Sequence, residues 1–440
     1  MSTTLRSKGT SYGLKVHHRK LTAGSPIEPL PLPEKVTLPL HQNIGAPSEA
    51  LVKRGDKVLT GQKIASSEKY VSAPVHATLS GEVSSATMVI NPPTGQPVAA
   101  LVITSDGADS WVGLEPPKAP EALSVKEILG RIREAGIVGM GGATFPTHVK
   151  LAPPEGKVID TVILNGCECE PYITSDHRVM LEYGEKVLSG LNIIRKVLSP
   201  KVTYIAIEDN KPDAIDHLGK LARTMGFPFE IIALKSKYPM GAEKTLISTI
   251  LKREVPIGGL PLDVGVVVQN VSTAKAIHDA IFEGRPFVER VVTVTGAVRH
   301  PKNLLVRFGT PLRALVDYCG GIEGEASEVI LGGPMMGISQ PDLDFPLTKG
   351  TNCVLVKESQ RIREQDCISC GQCLEVCPMR LMPTLLAKYA KAGRYDACKE
   401  NYIDDCFECG ACAYTCPANI PLVQYIKVAK SELAKRRVRP

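Results

Sequence analysis

The sequence predicts a multidomain α+β chain, and three of its features support this prediction. Residues 30–110 combine short Val-rich segments with Gly-containing turns, a pattern typical of β-strands. After a Pro-rich linker at Leu114–Pro120, apolar runs alternate with amphipathic segments, which indicates an α/β domain with a largely parallel sheet. Near the C-terminus, eight cysteines form two regularly spaced runs, which indicates a metal-binding domain.

Composition limits the classes of function that are open to the chain. It has 440 residues, enough for several domains, and its net charge of +6 is too small to indicate nucleic-acid binding. No apolar run reaches the roughly 20 residues that a membrane span needs, and residues 1–20 lack the apolar core of a signal peptide. We therefore expect a cytoplasmic protein, whose 13 cysteines serve metal binding rather than disulfides.

The two cysteine runs share one spacing. Each reads C-x2-C-x2-C-x3-C-P, the pattern of bacterial ferredoxins with two [4Fe–4S] clusters. The first three cysteines of a run can hold one cluster from a tight turn, while the fourth ligates the other cluster. The predicted ligand sets are Cys367, Cys370, Cys373 and Cys416 for one cluster, and Cys406, Cys409, Cys412 and Cys377 for the other. Gly371 and Gly410 are expected to relieve crowding where the backbone wraps each cluster.

A pair of zinc knuckles, or a disulfide framework, is the alternative to iron–sulfur clusters. Zinc sites usually pair two C-x2-C units without a third and fourth cysteine, so the sequence favours iron. The ferredoxin-like domain is predicted at residues 358–425, with helical structure between the runs at 379–405. The remaining five cysteines are expected to be mostly buried as small apolar side chains: Cys167, Cys169, Cys319, Cys353 and Cys398.

Residues 426–440 are predicted to form a basic tail, in which six cations from Lys427 onward face the single acid Glu432. Such a tail could contact anionic lipid or an acidic partner. A frayed, solvated helix is an equally good interpretation.

Two further segments resemble known small folds. Residues 1–113, with Val-rich strands and Gly turns, resemble the barrel-sandwich hybrid fold of lipoyl and biotinyl carrier domains. The flanks of Lys69, the only candidate for a carrier lysine, depart from the carrier pattern, so a structural role is expected. Residues 289–345 contain two short strands, a Pro-containing turn and a helix ending in Gly320–Gly321, and they resemble the SLBB β-grasp module.

Residues 121–288 are predicted to be the α/β domain, with a long amphipathic helix at 177–198. Ahead of it, Gly139, Gly141 and Gly142 leave backbone amides open to a phosphate, and Lys150 adds a positive charge. The motif is not G-x-G-x-x-G, so it does not indicate a Rossmann site. A plain tight turn is the alternative.

The predicted strand at 158–166 leads into Asn165–Pro171, a segment that contains Glu168 and Glu170. Side chains at the carboxyl ends of strands in α/β domains line the usual ligand crevice. The two glutamates are therefore candidates to face a cofactor. The alternative is a solvated acidic loop.

These motifs, together with Tyr238–Lys244 and Gln269–Asn270, resemble the flavin-carrying NADH-dehydrogenase subunit of respiratory complex I. With the β-domain, the SLBB module and the ferredoxin-like domain in this order, nearly the whole chain resembles the RnfC (RsxC) family. Its members are peripheral subunits of Rnf-type ion-translocating oxidoreductases.

The resemblance implies roles for individual residues. The residues that would hold the phosphate and ribityl region of FMN are Gly139, Gly141, Gly142 and Lys150. Those that would contact the flavin are Asn165, Glu168 and Asn270. Those that would bind the nicotinamide nucleotide are Phe145, by stacking, and Glu170, Tyr238 and Glu243 beside it. Glu168 and Glu170 are the candidate catalytic pair, whereas Cys167 and Ala242 replace acidic residues of the complex I pattern.

The function implied by the resemblance is electron transfer. Hydride would pass between NAD(H) and non-covalently bound FMN, and single electrons would pass through two [4Fe–4S] clusters, because a flavin handles both kinds of transfer. The partners would be integral membrane and ferredoxin-like subunits of a complex that moves Na⁺ or H⁺, with this chain peripheral at the cytoplasmic face. Two other functions stay open: a polyferredoxin scaffold without flavin, and a soluble NADH-dependent subunit of a dehydrogenase or hydrogenase.

Overall fold

The computed structural model describes residues 9–10, 12–91, 95–117, 119–326, 328–358 and 363–438. The first eight residues, at the start of the predicted β-domain, and Arg439 of the predicted tail lie outside these ranges. Within them, no helix combines the length and the apolar character that crossing a bilayer requires.

Two small sheets form the N-terminal β-domain. The strands of this part of the chain are β1 (Ile27–Pro29), β2 (Lys35–Pro39), β3 (Glu49–Ala50), β4 (Lys57–Val58), β5 (Lys63–Ser66), β6 (Val75–His76), β7 (Gly81–Asn91) and β8 (Gln96–Ser105). One sheet has the order β2-β8-β7-β4 and the other the order β3-β5-β6. Val36 and Ile103 of the first sheet share a buried core with Ile64 of the second. This arrangement agrees with the predicted barrel-sandwich fold.

The central domain is a parallel sheet with helices, as the alternation of segments predicts. Its elements are α1 (Val125–Glu134), α2 (Thr147–Lys150), β9 (Thr161–Gly166), α3 (Ser175–Glu182), α4 (Gly184–Leu198), β10 (Val202–Glu208), α5 (Pro212–Thr224), β11 (Glu230–Leu234), α6 (Glu243–Leu251), β12 (Val266–Asn270) and α7 (Val271–Phe282). The order is β11-β10-β9-β12, and each neighbouring pair is parallel. Continuous buried runs such as 161–164 are typical of a sheet covered on both faces. All carboxyl ends therefore meet at one edge.

The long helix expected at 177–198 is in fact two helices. Between α3 and α4, Tyr183 takes a non-helical conformation with φ −122° and ψ 26°. Both helices contact α5, and Gly184 does so at close range, because a Cβ there would lie 2.7 Å from a methyl group of Leu221. The hydrophobic periodicity continues through the break, so it does not reveal this change of direction.

The third module is a mixed sheet with one helix. Its elements are β13 (Glu289–Gly296), β14 (Lys302–Arg307), α8 (Leu312–Tyr318), β15 (Glu328–Leu331), β16 (Ile338–Gln340) and β17 (Cys353–Lys357). The sheet order is β1-β14-β13-β17-β15-β16. Thus β1, from the segment assigned to the β-domain, and β17, beyond residue 345, both complete the sheet of the SLBB module. Helix α8 ends at Tyr318, and Gly320 and Gly321 just beyond it have φ of +84° and +83°.

The C-terminal domain is helical and repeats after 39 residues. Its helices are α9 (Gln372–Glu375), α10 (Pro383–Lys391), α11 (Tyr395–Glu400), α12 (Ala411–Tyr414) and α13 (Leu422–Val438). Gly371 and Gly410 have φ of +78° and +80°, and Arg380 and Asn419 have φ of +56° and +53°. The repeated cysteine spacing thus coincides with a repeated backbone conformation.

Most of the predicted basic tail belongs to α13. Ala429 and Leu433 are buried in a core that includes Leu386 of α10. The ammonium of Lys430 contacts the carbonyl oxygen of Cys406 and lies 3.1 Å from a carboxylate oxygen of Glu408. Up to residue 433, this segment is therefore a packed helix and not a frayed one.

Candidate functional site

Predicted site residues from separate strands converge at the carboxyl edge of the parallel sheet. Asn165 of β9 is in register with Asn270 of β12. The side-chain amide of Asn165 donates to the carbonyl oxygen of Gly241 (2.9 Å), in the loop after β11. The parallel topology explains this convergence, because the segments that follow parallel strands begin at the same edge.

The glycine-rich loop lies against the N-terminus of α7. Its ends are joined by a hydrogen bond from the amide of Gly139 to the carbonyl of Phe145 (2.9 Å), and the Met140 amide donates to the hydroxyl of Thr273 (3.0 Å). Gly141 and Gly142 are exposed, and Gly142 has φ +122°, which L side chains rarely adopt. Exposed backbone amides beside a helix N-terminus fit the phosphate of a flavin nucleotide.

Asn270 connects this loop region to a buried acid. Its side-chain oxygen accepts hydrogen bonds from the amides of Ser272 (2.8 Å) and Thr273 (3.3 Å), and so caps α7. Its amide nitrogen donates to Asp176 (2.6 Å), which also accepts from the Ser272 hydroxyl (2.6 Å). Burial, followed by the nearby Glu168, raises the pKa of Asp176. Both ends of the Asn270 side chain are thereby fixed.

Lys150, at the end of α2, forms an ion pair with Glu243, the first residue of α6. The two side chains are 25% and 41% exposed, so a ligand could reach both of them. Phe145, just before α2, is half-buried. The structure thus brings together Lys150 and Glu243, which the sequence separates by three strands of the sheet.

Glu168 is buried and caps α3. Its carboxylate accepts hydrogen bonds from the amides of Asp176 (2.8 Å) and His177 (3.3 Å) and from the hydroxyl of Ser175 (3.2 Å). The free amides at a helix N-terminus stabilise such a carboxylate. A catalytic role of Glu168 stays a prediction, and its contacts within the chain are those of a helix cap.

Glu170 reaches the turn between β15 and β16. Its carboxylate accepts hydrogen bonds from the amides of Met335 (3.2 Å) and Met336 (2.8 Å). Gly333 lies so close that a Cβ there would be 2.2 Å from a carboxylate oxygen. Burial raises the pKa of Glu170 to about 7, although the two amides lower it. Its catalytic role also stays a prediction; its contacts join the α/β domain to the SLBB module.

Tyr238 links the α/β domain to the cysteine-rich domain. Its hydroxyl donates to the carbonyl oxygen of Cys409 (2.5 Å), and its buried ring belongs to an apolar cluster with Ala411 and Met335. The sequence groups Tyr238 with the nucleotide-binding residues, and that role stays a prediction. The structure gives its hydroxyl a partner in the second cysteine run.

One of the two predicted ligand sets lines a single cavity, formed in part by Cys377, Cys406, Cys409 and Cys412. Cys377 comes from the first run and the other three from the second, as the crossed assignment requires. Burial, followed by the neighbouring thiols, raises the pKa of Cys412 well above its usual range. Buried thiols that ionise only at a cost fit a site whose charge is balanced by metal ions.

The other ligand set also combines both runs. Cys373 is buried in an apolar cluster to which Cys367 and Cys416 are packed. Cys370, on the same loop as Cys367, is exposed. The thiols of Cys367 and Cys406 each accept a 3.4 Å hydrogen bond from the amide two residues later, as iron–sulfur ligands commonly do.

None of the 13 cysteines, all of which lie within the described residues, forms a disulfide bond. Of the five outside the two runs, Cys169 is partly buried and four are buried: Cys167, Cys319, Cys353 and Cys398. This confirms the expectation that most of them serve as small apolar side chains.

Lys20 is a partly buried residue whose position the sequence does not signal. Its ammonium donates to the carbonyl oxygens of Glu168 (2.7 Å), Glu170 (2.8 Å) and Ile173 (2.6 Å). Burial lowers the pKa of Lys20. The N-terminal segment therefore fixes the loop between β9 and α3, although it is distant in sequence.

Lys349 is a fully buried lysine, and it joins three domains. From the end of the SLBB module, its ammonium donates to the carbonyl oxygens of Pro74 (2.8 Å) in the β-domain and Gly136 (2.7 Å) in the α/β domain. Burial lowers the pKa of Lys349 to about 7. Gly136 lies three residues before Gly139, so this lysine supports the start of the glycine-rich loop.

Family models match four segments of the chain, in the order of its domains. They are the RnfC barrel sandwich hybrid domain (residues 9–108), the Nuo51 FMN-binding domain (132–279), the SLBB domain (291–339) and the 4Fe-4S dicluster domain (366–420). All four correspond to resemblances seen in the sequence, and the FMN-binding domain confirms the resemblance to the flavin-carrying subunit of complex I.

Curated relatives match nearly the whole chain. The C subunit of the proton-translocating ferredoxin:NAD(+) oxidoreductase complex of Clostridium ljungdahlii is 49% identical over 421 residues, covering 94% of this chain and 91% of that protein. The C subunit of the Na(+)-translocating ferredoxin:NAD(+) oxidoreductase complex of Acetobacterium woodii is 44% identical, and the match covers 96% of both chains. The C subunit of the ion-translocating oxidoreductase complex of Rhodobacter capsulatus is 43% identical, covering 96% of this chain and 82% of that protein.

Proposed function

Because the chain belongs to the RnfC family of ion-translocating oxidoreductase complexes, we propose that it transfers electrons between NAD(H) and the other subunits of such a complex. FMN in the α/β domain and two [4Fe–4S] clusters in the C-terminal domain are its cofactors. NAD(H) exchanges two electrons as hydride, whereas each cluster exchanges one electron at a time. A flavin can do both, so it supplies the conversion between the two kinds of transfer.

One observation carries this proposal: the carboxyl edge of the parallel sheet touches a cysteine run. Tyr238, from the loop after β11, donates directly to the backbone of Cys409. The segment that would hold the flavin and the loop that would hold a cluster are therefore in van der Waals contact. Such proximity is what single-electron transfer between the two domains needs.

The residues of the chain have separate tasks in this function. The amides of Gly141 and Gly142, with the ammonium of Lys150, would bind the FMN phosphate. Asn165 and Asn270 would contact the flavin, and the hydrogen bonds of Asn270 to Asp176 and α7 hold its side chain in one orientation. Phe145 would stack on the nicotinamide nucleotide.

Contacts with the α/β domain and the SLBB module support an order for the two clusters. Cys409 and Gly410 touch Tyr238 and Met335, respectively. At Gly371, the equivalent of Gly410, no atom of the described residues lies within 4 Å of a Cβ position, and Cys370 beside it is exposed. The set of Cys406 would therefore exchange electrons with the flavin, and the set of Cys370 with a partner subunit.

The names of the relatives also bear on the transported ion and on the location of the chain. The relatives are named for proton and for Na⁺ translocation, so either ion is a candidate. The chain would sit at the cytoplasmic face of the membrane as a peripheral subunit, bound through integral membrane and ferredoxin-like subunits.

The match to an FMN-binding domain argues against a scaffold without flavin, and 49% identity to a component of a translocating complex argues against a soluble hydrogenase subunit. Isolation of the tagged chain from membranes with mild detergent separates these functions. We expect integral membrane subunits to copurify, together with NADH-dependent reduction of ferricyanide. Copurification with a soluble enzyme alone, or the absence of NADH oxidation by a preparation that retains its iron, would contradict the proposal.

A further inference from the structure

We propose that Glu170 is a positioning residue for electron transfer and that it acts through the turn Gly332–Gly337, called the junction turn below. The proposal rests on the proposed function, because it assumes a flavin in the α/β domain. In this role the carboxylate sets how closely the cluster site of Cys406, Cys409, Cys412 and Cys377 approaches the flavin domain.

The first contact joins Glu170 to the junction turn. Its partly buried carboxylate accepts hydrogen bonds from two successive amides, those of Met335 and Met336. Two donors on one carboxylate fix both the distance and the orientation of the turn. Gly333 permits this approach, because a Cβ there would lie 2.2 Å from the carboxylate.

The second contact joins the junction turn to the cluster loop. A Cβ at Gly410 would lie 2.6 Å from the carbonyl oxygen of Met335, so the two backbones touch where Gly410 has no side chain. Met335 therefore contacts Glu170 through its amide and Gly410 through its carbonyl. A single residue of the turn separates the carboxylate from the loop that carries Cys409 and Cys412.

The neighbouring ammonium group does not compete with the junction turn for the carboxylate of Glu170. The ammonium of Lys20 donates to three backbone carbonyls, including that of Glu170, and not to its carboxylate. Tyr238, Met335 and Cys409 pack in one apolar cluster beside the turn. Without the carboxylate, two amides of the turn would lose their acceptors, and the turn would shift to find others. Functional geometry usually tolerates only about 0.5 Å of such movement.

The test compares variants of the full chain, loaded with FMN and clusters. E170A removes the carboxylate, and E170Q keeps one carbonyl oxygen as an acceptor. E328A is the matched control, because Glu328 accepts a hydrogen bond from the Ser339 hydroxyl (2.6 Å) at the other end of the same hairpin and is part-exposed. G333A offers a second route, since it pushes the turn away from an intact Glu170.

Two readouts are measured: amide hydrogen exchange at Met335 and Met336, and the rates of flavin and cluster reduction after mixing with NADH. For E170A and G333A we expect at least tenfold faster exchange at these amides and at least a tenfold fall in the ratio of the cluster rate to the flavin rate. E170Q should lie between E170A and the wild type, and E328A should match the wild type.

An unchanged ratio in E170A, with normal flavin reduction in the wild type, would overturn this proposal alone. The same holds if E328A lowers the ratio as much as E170A does, or if a slower flavin step accounts for the whole effect of E170A. Absence of flavin reduction in the wild type would overturn the proposed function, and this proposal with it.

Discussion

The hydroxyl of Tyr238 donates a 2.5 Å hydrogen bond to the carbonyl oxygen of Cys409, 171 positions further along the chain. This bond joins the edge of a parallel sheet, where α/β proteins bind ligands, to a loop whose cysteines have ferredoxin spacing. The two halves of the electron path are thus parts of one packed structure, with the junction turn beside them. This arrangement leads to specific expectations for individual side chains.

The crossed ligand sets predict which cysteine substitutions remove the same cluster. Cys377→Ser should remove the same cluster as Cys406→Ser, because both thiols line one cavity. Cys416→Ser should remove the same cluster as Cys367→Ser. Each variant should retain about four of eight irons, and electron paramagnetic resonance of the reduced protein identifies the remaining cluster. Matching spectra of Cys377→Ser and Cys367→Ser would exclude the crossed assignment.

Lys150 is expected to contribute to FMN affinity. A hydrogen bond from a charged group to phosphate contributes roughly 1.5–3 kcal/mol, so Lys150→Met should weaken FMN binding at least tenfold. Lys157→Met is the control, because Lys157 forms a comparable ion pair with Asp263 (2.9 Å) outside the predicted site. Fluorescence titration of FMN into the flavin-free chain measures both. Equal FMN affinities of the two variants would show that Lys150 does not contribute to FMN binding.

Lys349 is expected to make the free energy of unfolding rise as the pH increases above neutral. Its pKa is about 7 in the folded chain, against 10.5 for an ordinary lysine. Between these values the unfolded chain binds more protons, so stability rises with pH across this window and the effect is complete above it. From pH 7 to 9 the gain should be about 2 kcal/mol.

The measurement is thermal unfolding of the wild type and Lys349→Met at several pH values. The difference between the two should grow in favour of the wild type as the pH rises, because the variant lacks the titrating group. Parallel curves for the two proteins would show that Lys349 keeps an ordinary pKa.

Alanine is expected to destabilise the chain more at Gly410 than at the equivalent position Gly371. Both have φ near +80°, so alanine at either position costs about 1–2 kcal/mol of backbone strain. Only at Gly410 does the new Cβ also meet another domain, 2.6 Å from the Met335 carbonyl. Gly410→Ala should therefore lower the unfolding temperature more than Gly371→Ala does. Equal losses would mean that the contact at Met335 is not maintained in solution.

Sequence patterns predict those parts of the site that local chemistry determines. The spacing of the cysteines predicts both ligand sets, and each set brings together cysteines of the two runs. The alternation of segments is sufficient to predict the parallel edge where Asn165 and Asn270 meet. Both Gly371 and Gly410 have a positive φ that favours glycine, and Gly410 also lies against the Met335 carbonyl. That the two glycines relieve crowding around the clusters themselves stays a prediction.

The remaining features arise from contacts between distant segments, which leave no periodic signal. Strand β1 pairs with β14 across more than 270 positions, and Lys20 binds carbonyls that any sequence would offer. Glu170 stands in a motif associated with nucleotide binding, yet its carboxylate binds amides of another module. The break at Tyr183 also leaves no sequence signal. Glycine is needed at position 184 because a Cβ there would clash with Leu221 of α5, and not because of the conformation of its own helix.

An anaerobic NADH titration of the purified chain, followed by visible and electron paramagnetic resonance spectroscopy, tests directly whether electrons from NADH reach the clusters through FMN. We expect about one FMN and eight irons per chain, bleaching of the flavin band by NADH, and reduction of the clusters in the same titration. Zinc in place of iron, or intact clusters that NADH never reduces in a chain saturated with FMN, would contradict this expectation.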